Sequence, residues 1–336
     1  MAVEPKSAVA QGAAGPYESR VTRPEDKEGI RQLFQEVFKD EMTEALWQWK
    51  YERPESKGAV VLKGGKIVAH YGGLGRWVLR EGIRCLAVQI GDVMVAAGVR
   101  HSVRSNSPFF LVFTTFAEAY LGFDKLFPFA FGFPNVRAYR IAEQLGLYSK
   151  VDRMSEVRWT AQRLPLGSRL RYGLVPLRGE DLMAASDVVI RLWKLMSGEL
   201  RDRIVGVRDS AWLLYRYFQR PEKHYEVYLL LDRLTRIHQA VVVLQPHEDH
   251  LLWVDWVGSM KNRAALIGVL RDLAIQRGKP EVRTWSASHD LRLFQASGGE
   301  VSALPIVIPA NIWTPGPSVA ELSHRWWLMP GDTDFQ

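Results

Sequence analysis

A mixed α/β fold with largely antiparallel central sheets, present as two tandem copies, follows from three features of the chain. Segments with helical spacing alternate with strand-like runs, the strand-like runs are joined by Gly-containing turns, and the whole order recurs after about 150 to 170 residues.

In the first copy, a short strand at Tyr17 to Arg23 precedes a helix from about Pro24 to Lys39, with Ile30, Phe34 and Val37 at helical spacing. The aromatic helix LWQWKY ends at Arg53-Pro54, because proline has no amide hydrogen to continue it. The runs AVVLKG, KIVAHYGGLGRWVL and CLAVQIGDVMVAA read as antiparallel hairpins. Next, SPFFLVFTTFAEAYLG places Phe109, Phe113, Phe116 and Tyr120 on one helical stripe. The strand FPFAFGF then leads through Pro-Asn into the helix FPNVRAYRIAEQLG, whose expected buried face is Ala138, Ile141, Ala142 and Leu145.

The second copy opens with LVPLRGEDLMAASDVVIRLWKLM, and its AWLLYRYFQRP echoes LWQWKYERP. Strands EVYLLLD, IHQAVVVLQ and LLWVDWVG follow, then a helix from Asn262 to Gln276, the strand EVRTWSA and a short helix ending near Gly298. The expected organisation is a flexible leader over 1–16, one domain over 17–160, a basic linker over 161–171 and a diverged second domain over 172–336.

Composition narrows the function. The 336 residues are 47% hydrophobic and 24% charged, as in globular chains, and the length suits two domains. The single cysteine, Cys85, cannot form an intrachain disulfide and suits a reducing, cytoplasmic setting. The leader has no basic, apolar signal pattern, and the most apolar run, Pro108 to Phe133, is broken by Glu118, Asp124, Lys125 and Pro128, so no membrane span is expected. The net charge of +7 favours anionic partners, but the basic residues are dispersed and no nucleic-acid-binding signature is visible. The cluster HEDH at His247 to His250 reads as a hairpin loop, and no metal site is expected. Hydrolase elbow, nucleotide-triphosphatase loop and paired-Cys motifs are absent from the sequence. The pairs Trp47/Trp49, Trp253/Trp256 and Trp326/Trp327 read as core, with a cleft between the halves as the alternative.

The stretch after the fifth strand carries a family resemblance. Asn135, Ala138, Leu145 and Gly146 match the start, third residue on and Leu-Gly close of the corresponding helix in the GNAT superfamily of acyl-CoA-dependent N-acyltransferases. The chain resembles that family over residues 17 to 160, and over the second half by element order. Tandem halves ending in WWLMPGDTD are similar to a bacterial group linked to surface-polysaccharide or cell-envelope chemistry.

The resemblance implies an acyl transfer, with acetyl-CoA as donor and as acceptor an amine of the amino-sugar or envelope-precursor kind, and no metal. In VMVAAGVRHSVRSNSPFF a strand end runs into a helix N-terminus, where free amides and the helix dipole favour phosphate. Ser105 or Asn106 is expected to cap that helix, with Pro108 in its first turn. The family's loop pattern, Gln/Arg-x-x-Gly-x-Gly/Ala, is met only by Arg100, since Val103 and Ser105 stand at the small-residue positions.

The implied cofactor contacts are Val93 and Val95 by their backbones, the loop Arg100, His101, Ser102, Val103, Arg104, Ser105 and Asn106, and Asn135 at the helix start. The tyrosine that often protonates the leaving thiolate is replaced by Ala142, so Tyr139 on the same helix is the implied substitute. Gln89 stands where some members carry a glutamate base, leaving Asp92 as the nearest carboxylate. Two alternatives stay open: a transferase of the same architecture using aminoacyl-tRNA, and a non-catalytic binding protein.

Overall fold

A computed structural model describes residues 16–100 and 104–336. The first half follows the expected order through its last helix, β1 (Glu18–Val21), α1 (Lys27–Phe38), α2 (Glu44–Tyr51), β2 (Lys57–Lys63), β3 (Lys66–Arg80), β4 (Ile83–Val95), α3 (Pro108–Tyr120), β5 (Ala130–Gly132) and α4 (Val136–Gln144), and then adds β6 (Tyr148–Thr160). Local chemistry sets the boundaries. The Thr43 hydroxyl caps α2 by accepting from the Leu46 amide, and α4 ends where Gly146 turns to φ +70°, a conformation that costs glycine nothing. Strands β3 and β4 form a hairpin across Glu81 and Gly82, whose φ values of 54° and 78° give the left-handed two-residue turn that matches strand twist.

The second half contains α5 (Leu166–Arg171), β7 (Tyr172–Pro176), α6 (Ser186–Glu199), β8 (Ile204–Gly206), α7 (Ser210–Leu213) with a π-turn over Leu214–Phe218, and then β9 (Glu226–Asp232), β10 (Ile237–Pro246) and β11 (Leu251–Gly258). It closes with α8 (Arg263–Gln276), β12 (Glu281–Ala287), α9 (Leu291–Gln295), β13 (Glu300–Asn311), α10 (Val319–Leu322) and β14 (Trp326–Trp327). Strands β6, β8, β13 and β14 and helices α5 and α10 were not among the expected elements, and α5 lies within the expected linker.

Two sheets result. The first runs β1-β2-β3-β4-β5, and the second runs β13-β6-β12-β11-β10-β9-β7. Within these two paths the β4–β5 and β11–β12 neighbours are parallel, and every other pairing is antiparallel. The halves exchange strands in both directions. β6, which the expected boundary at Thr160 puts with the first half, pairs with β12 and β13 in the second sheet. In return β8 pairs with the end of β3, and β14 pairs with β8.

Each half keeps its own apolar core, and a third cluster between them joins Val78, Phe129 and Phe131 to Trp285, Ile308 and Trp326. Trp253, Trp256, Trp326 and Trp327 are all fully buried, so these pairs are core rather than cleft. The two echoing aromatic segments pack on each other: Trp49 stacks on Tyr215 at 4.9 Å, its indole donates to the Tyr215 carbonyl, and the Tyr215 hydroxyl donates to the Trp49 carbonyl.

The tail returns across both halves. Arg208 is completely buried and donates to Asp255 at 2.9 Å and to Asp332 at 2.6 Å. Arg216, on the π-turn, donates to the carbonyls of Gly331, Thr333 and Gln336. Among the described residues no helix is long and apolar enough to cross a membrane.

Candidate active site

The pairing of β4 with β5 stops early. Three residue pairs, Val88–Ala130, Gln89–Phe131 and Ile90–Gly132, are the whole ladder. On one side Pro134 offers no amide hydrogen and Asn135 begins α4. On the other, Tyr71 of β3 faces both Asp92 and Val93, a bulge that puts Asp92 at φ 47°. The buried ring of His70 donates from Nδ1 to the Asp92 carbonyl at 2.9 Å and holds the bulge. Beyond Ile90, β4 and β5 diverge into a V.

The V opens into a cavity of about 540 Å³. Its lining includes Ile90 to Val93 of β4, Phe131 to Asn135 after β5, Phe109 in the first turn of α3, Lys50 of α2, and Arg220 and Asp334 from the second half. Two helix N-termini border it. Ser107 caps α3 by accepting from the Phe110 amide at 3.3 Å, with Pro108 as its first residue, and Asn135 caps α4 by accepting from the Ala138 amide at 2.9 Å.

At the head of the V lies a buried charge cluster. The Lys50 ammonium sits 2.8 Å from both Asp92 oxygens and 2.8 Å from an Asp334 oxygen. The Tyr51 hydroxyl donates to Asp92 at 2.6 Å, and Gln89 reaches Asp334 at 3.4 Å. Burial opposes the charge on Lys50, but Asp334 and Asp92 outweigh it and hold its pKa above 10.5. Burial likewise opposes the charge on Asp334, yet Lys50 keeps it below the ordinary carboxylate range. With two carboxylates and one ammonium, the cluster has a net charge of −1. Close by, the hydroxyls of Tyr71 and Tyr148 meet at 2.5 Å, and burial pushes Tyr148 up to about 12. Both tyrosines line the cavity, and a hydroxyl pair bridges with one proton and leaves the other to donate outward.

The sequence-derived site residues divide between this cavity and elsewhere. Asp92, Val93 and Asn135 line it. Val95 does not; its carbonyl accepts from Arg100 Nε at 2.6 Å, so the Arg100 side chain folds back onto β4. Arg104, Ser105 and Asn106 are exposed just before α3, while His101, Ser102 and Val103 lie outside the described residues. The cap of α3 is Ser107, not Ser105 or Asn106, since Pro108 fixes the first helical residue one place later.

On α4, Ala138 is exposed toward the cavity and Tyr139 is buried in its place. The Tyr139 hydroxyl donates to Glu143 at 2.6 Å in a separate depression of about 280 Å³ with Arg140 and Lys150. Burial and Glu143 raise Tyr139 to about 12.

Sequence reasoning missed Lys50, Tyr148, Arg220 and Asp334. The only sequence signal for Lys50 was a charge inside the aromatic helix LWQWKY. At His247 to His250 the two imidazoles stack at 4.5 Å, and among the described residues no group of three or more His, Cys, Asp or Glu has the spacing to hold a metal ion.

Residues 18–142 match the family model for the acetyltransferase (GNAT) domain. That match spans the elements from β1 to α4. Solved structures resembling the whole chain have similar folds. A probable N-acyltransferase from Enterococcus faecalis superposes with a TM-score of 0.63 at 14% identity, covering 87% of this chain and 71% of that one. A GCN5-related N-acetyltransferase from Kribbella flavida gives 0.60 at 15%, covering 88% and 71%. The N-myristoyltransferase of Saccharomyces cerevisiae, solved with myristoyl-CoA, gives 0.54 at 12%, covering 89% and 79%. Identities this low establish a shared fold, which the two halves of the chain enter together. A search of curated protein sequences finds no match.

Proposed function

We propose that this protein is an N-acyltransferase that passes an acyl group, acetyl in the first instance, from coenzyme A to an amine by direct attack on the thioester. The observation that carries this reading is the V between β4 and β5, bordered by two capped helix N-termini and closed at its head by Lys50, Asp92 and Asp334. We also take 17–160 and 172–336 as two GNAT-like units joined by 161–171, the second shaping the cavity of the first.

Acyl-CoA supplies the electrophilic carbonyl. The α3 N-terminus, with its loop from Arg100, would hold phosphate, and the unpaired edge of β4 at Val93 together with Asn135 would hold the pantetheine arm. Asp92 and Asp334, one negative charge in excess of Lys50, would hold the incoming ammonium, and Asp92 would take the proton it sheds. The Tyr71–Tyr148 pair would return a proton to the departing sulfur. Tyr139, bonded to Glu143 outside the cavity, has no part in this scheme.

The test is direct. Acetyl-CoA at about 100 times its dissociation constant should stabilise the protein by roughly 2.7 kcal/mol in thermal or urea unfolding. Asp92→Asn should keep that binding and lower thiol release with an accepted amine by at least about 100-fold. No stabilisation at millimolar acetyl-CoA would rule out this donor.

A further inference from the structure

Among the described residues, the cavity cations Arg220 and Lys223 make no ion pair, and Arg220 is the more deeply buried of the two. Arg220 follows the π-turn, is only 8% exposed and lines the cavity, and its Nε and Nη1 are buried with no hydrogen-bond partner among the described residues. Its guanidinium carbon lies over the Trp49 ring, 4.6 Å from the ring centre. Such a group is costly to bury alone, and its neighbours do not satisfy it. Asp334 is already bonded to Lys50 and Gln89, Arg216 is spent on tail carbonyls, and Glu222 accepts from the Thr43 hydroxyl. Asp40 and Glu222 are exposed at the rim, and the half-buried Lys223 beside them makes no ion pair among the described residues.

We propose that Arg220 receives the carboxylate of the acceptor, so that the substrate is an amine carrying a carboxylate, held at both ends. The acceptor's ammonium faces the Lys50–Asp92–Asp334 cluster, and its carboxylate takes the free edge of Arg220 in the paired geometry that a guanidinium offers a planar anion. The location separates this role from the donor's phosphates. The 220–223 segment packs on α2 through Trp49 and on the α1–α2 connection through Thr43, whereas the phosphate side lies at α3. The assignment rests on the acyltransferase reading for its reaction, but not for its binding.

The experiment compares free L-amino acids with their carboxamides of the same side chain. Thiol release from acetyl-CoA gives kcat and KM, and thermal shift gives binding of the same compounds with and without CoA. Wild type should prefer acid over amide by about 30-fold or more, because a site built around a charged partner rejects the analogue that lacks it. Arg220→Met should raise KM for the acids by a similar factor, erase the preference, leave CoA affinity unchanged and melt no lower than wild type. Arg220→Lys should recover part of the preference. Equal use or binding of acids and amides by wild type, or a preference that survives Arg220→Met, would overturn the proposal. If CoA does not bind, the donor reading fails alone, and the thermal shifts with amino acids still decide for or against Arg220.

Discussion

Lys50→Met is expected to cost about 3–5 kcal/mol of folding stability, because it strands two buried carboxylates without their cation. The side chains of Lys50, Asp92 and Asp334 are only 5%, 7% and 10% exposed, so water cannot replace the lost ammonium. The cost depends on pH in a defined direction. In wild type, Lys50 has its pKa raised, so its contribution is complete below the unfolded value of 10.5 and disappears as pH rises through the folded value. Asp334 has its pKa lowered, so its contribution is complete above the unfolded value of 3.8 and disappears as pH falls through the folded value. The wild-type cluster therefore stabilises fully across the interval between those limits.

In Lys50→Met the two facing carboxylates cannot both ionise cheaply, and one takes up a proton. Urea midpoints should show a modest loss at pH 5 and the full loss at pH 8, and adding Asp334→Asn should recover part of it. A loss independent of pH would mean that Lys50 contributes packing alone.

Arg208→Met is the second large effect, again about 3–5 kcal/mol. Burial opposes the charge on Arg208, but Asp255 and Asp332 outweigh it and hold its pKa above the ordinary value. After the substitution Asp255 keeps the Tyr217 hydroxyl at 2.6 Å and Asp332 keeps the Met329 amide at 2.9 Å, but both charges are left without their close cation. Arg76 remains 3.8 Å from Asp332, beyond a hydrogen bond. Because Asp332 anchors the turn that leads to Asp334, any folded fraction should also lose thiol release. Unfolding midpoints within about 0.5 kcal/mol of wild type would show that the network has little energetic role.

Much of the first half was legible because its signals are local. The LWQWKY helix ends at Tyr51, just ahead of Arg53-Pro54, the β2–β4 hairpins follow their glycines, and the Asn135-to-Gly146 spacing marks a cap, a helix and a left-handed stop. Asp92 was visible as a lone acid in an apolar strand. Its partners were not, since Lys50 lies 42 residues away and Asp334 lies 284 residues from Lys50. No periodicity encodes such a meeting. The reading of α4 failed by one side-chain position: Ala138 and Tyr139 both sit near the edge of the apolar stripe, and packing against the second half buries the larger one. The destination of β6 was hidden for the same reason, because a strand's sequence states its alternation but not its partner.

The shared strands also set a schedule for synthesis. β6 is complete at Thr160, but β13, one of its two neighbours, is complete only at Asn311. At typical ribosomal speeds of 5–20 residues per second that interval is roughly 8–30 s, throughout which at least one edge of β6 is unpaired. The Asp334 carboxylate arrives later still. A nascent chain therefore cannot complete its charge cluster early, and charges along β6, at Lys150, Asp152, Arg153, Glu156 and Arg158, are of the kind that disfavours pairing of an open edge with another chain.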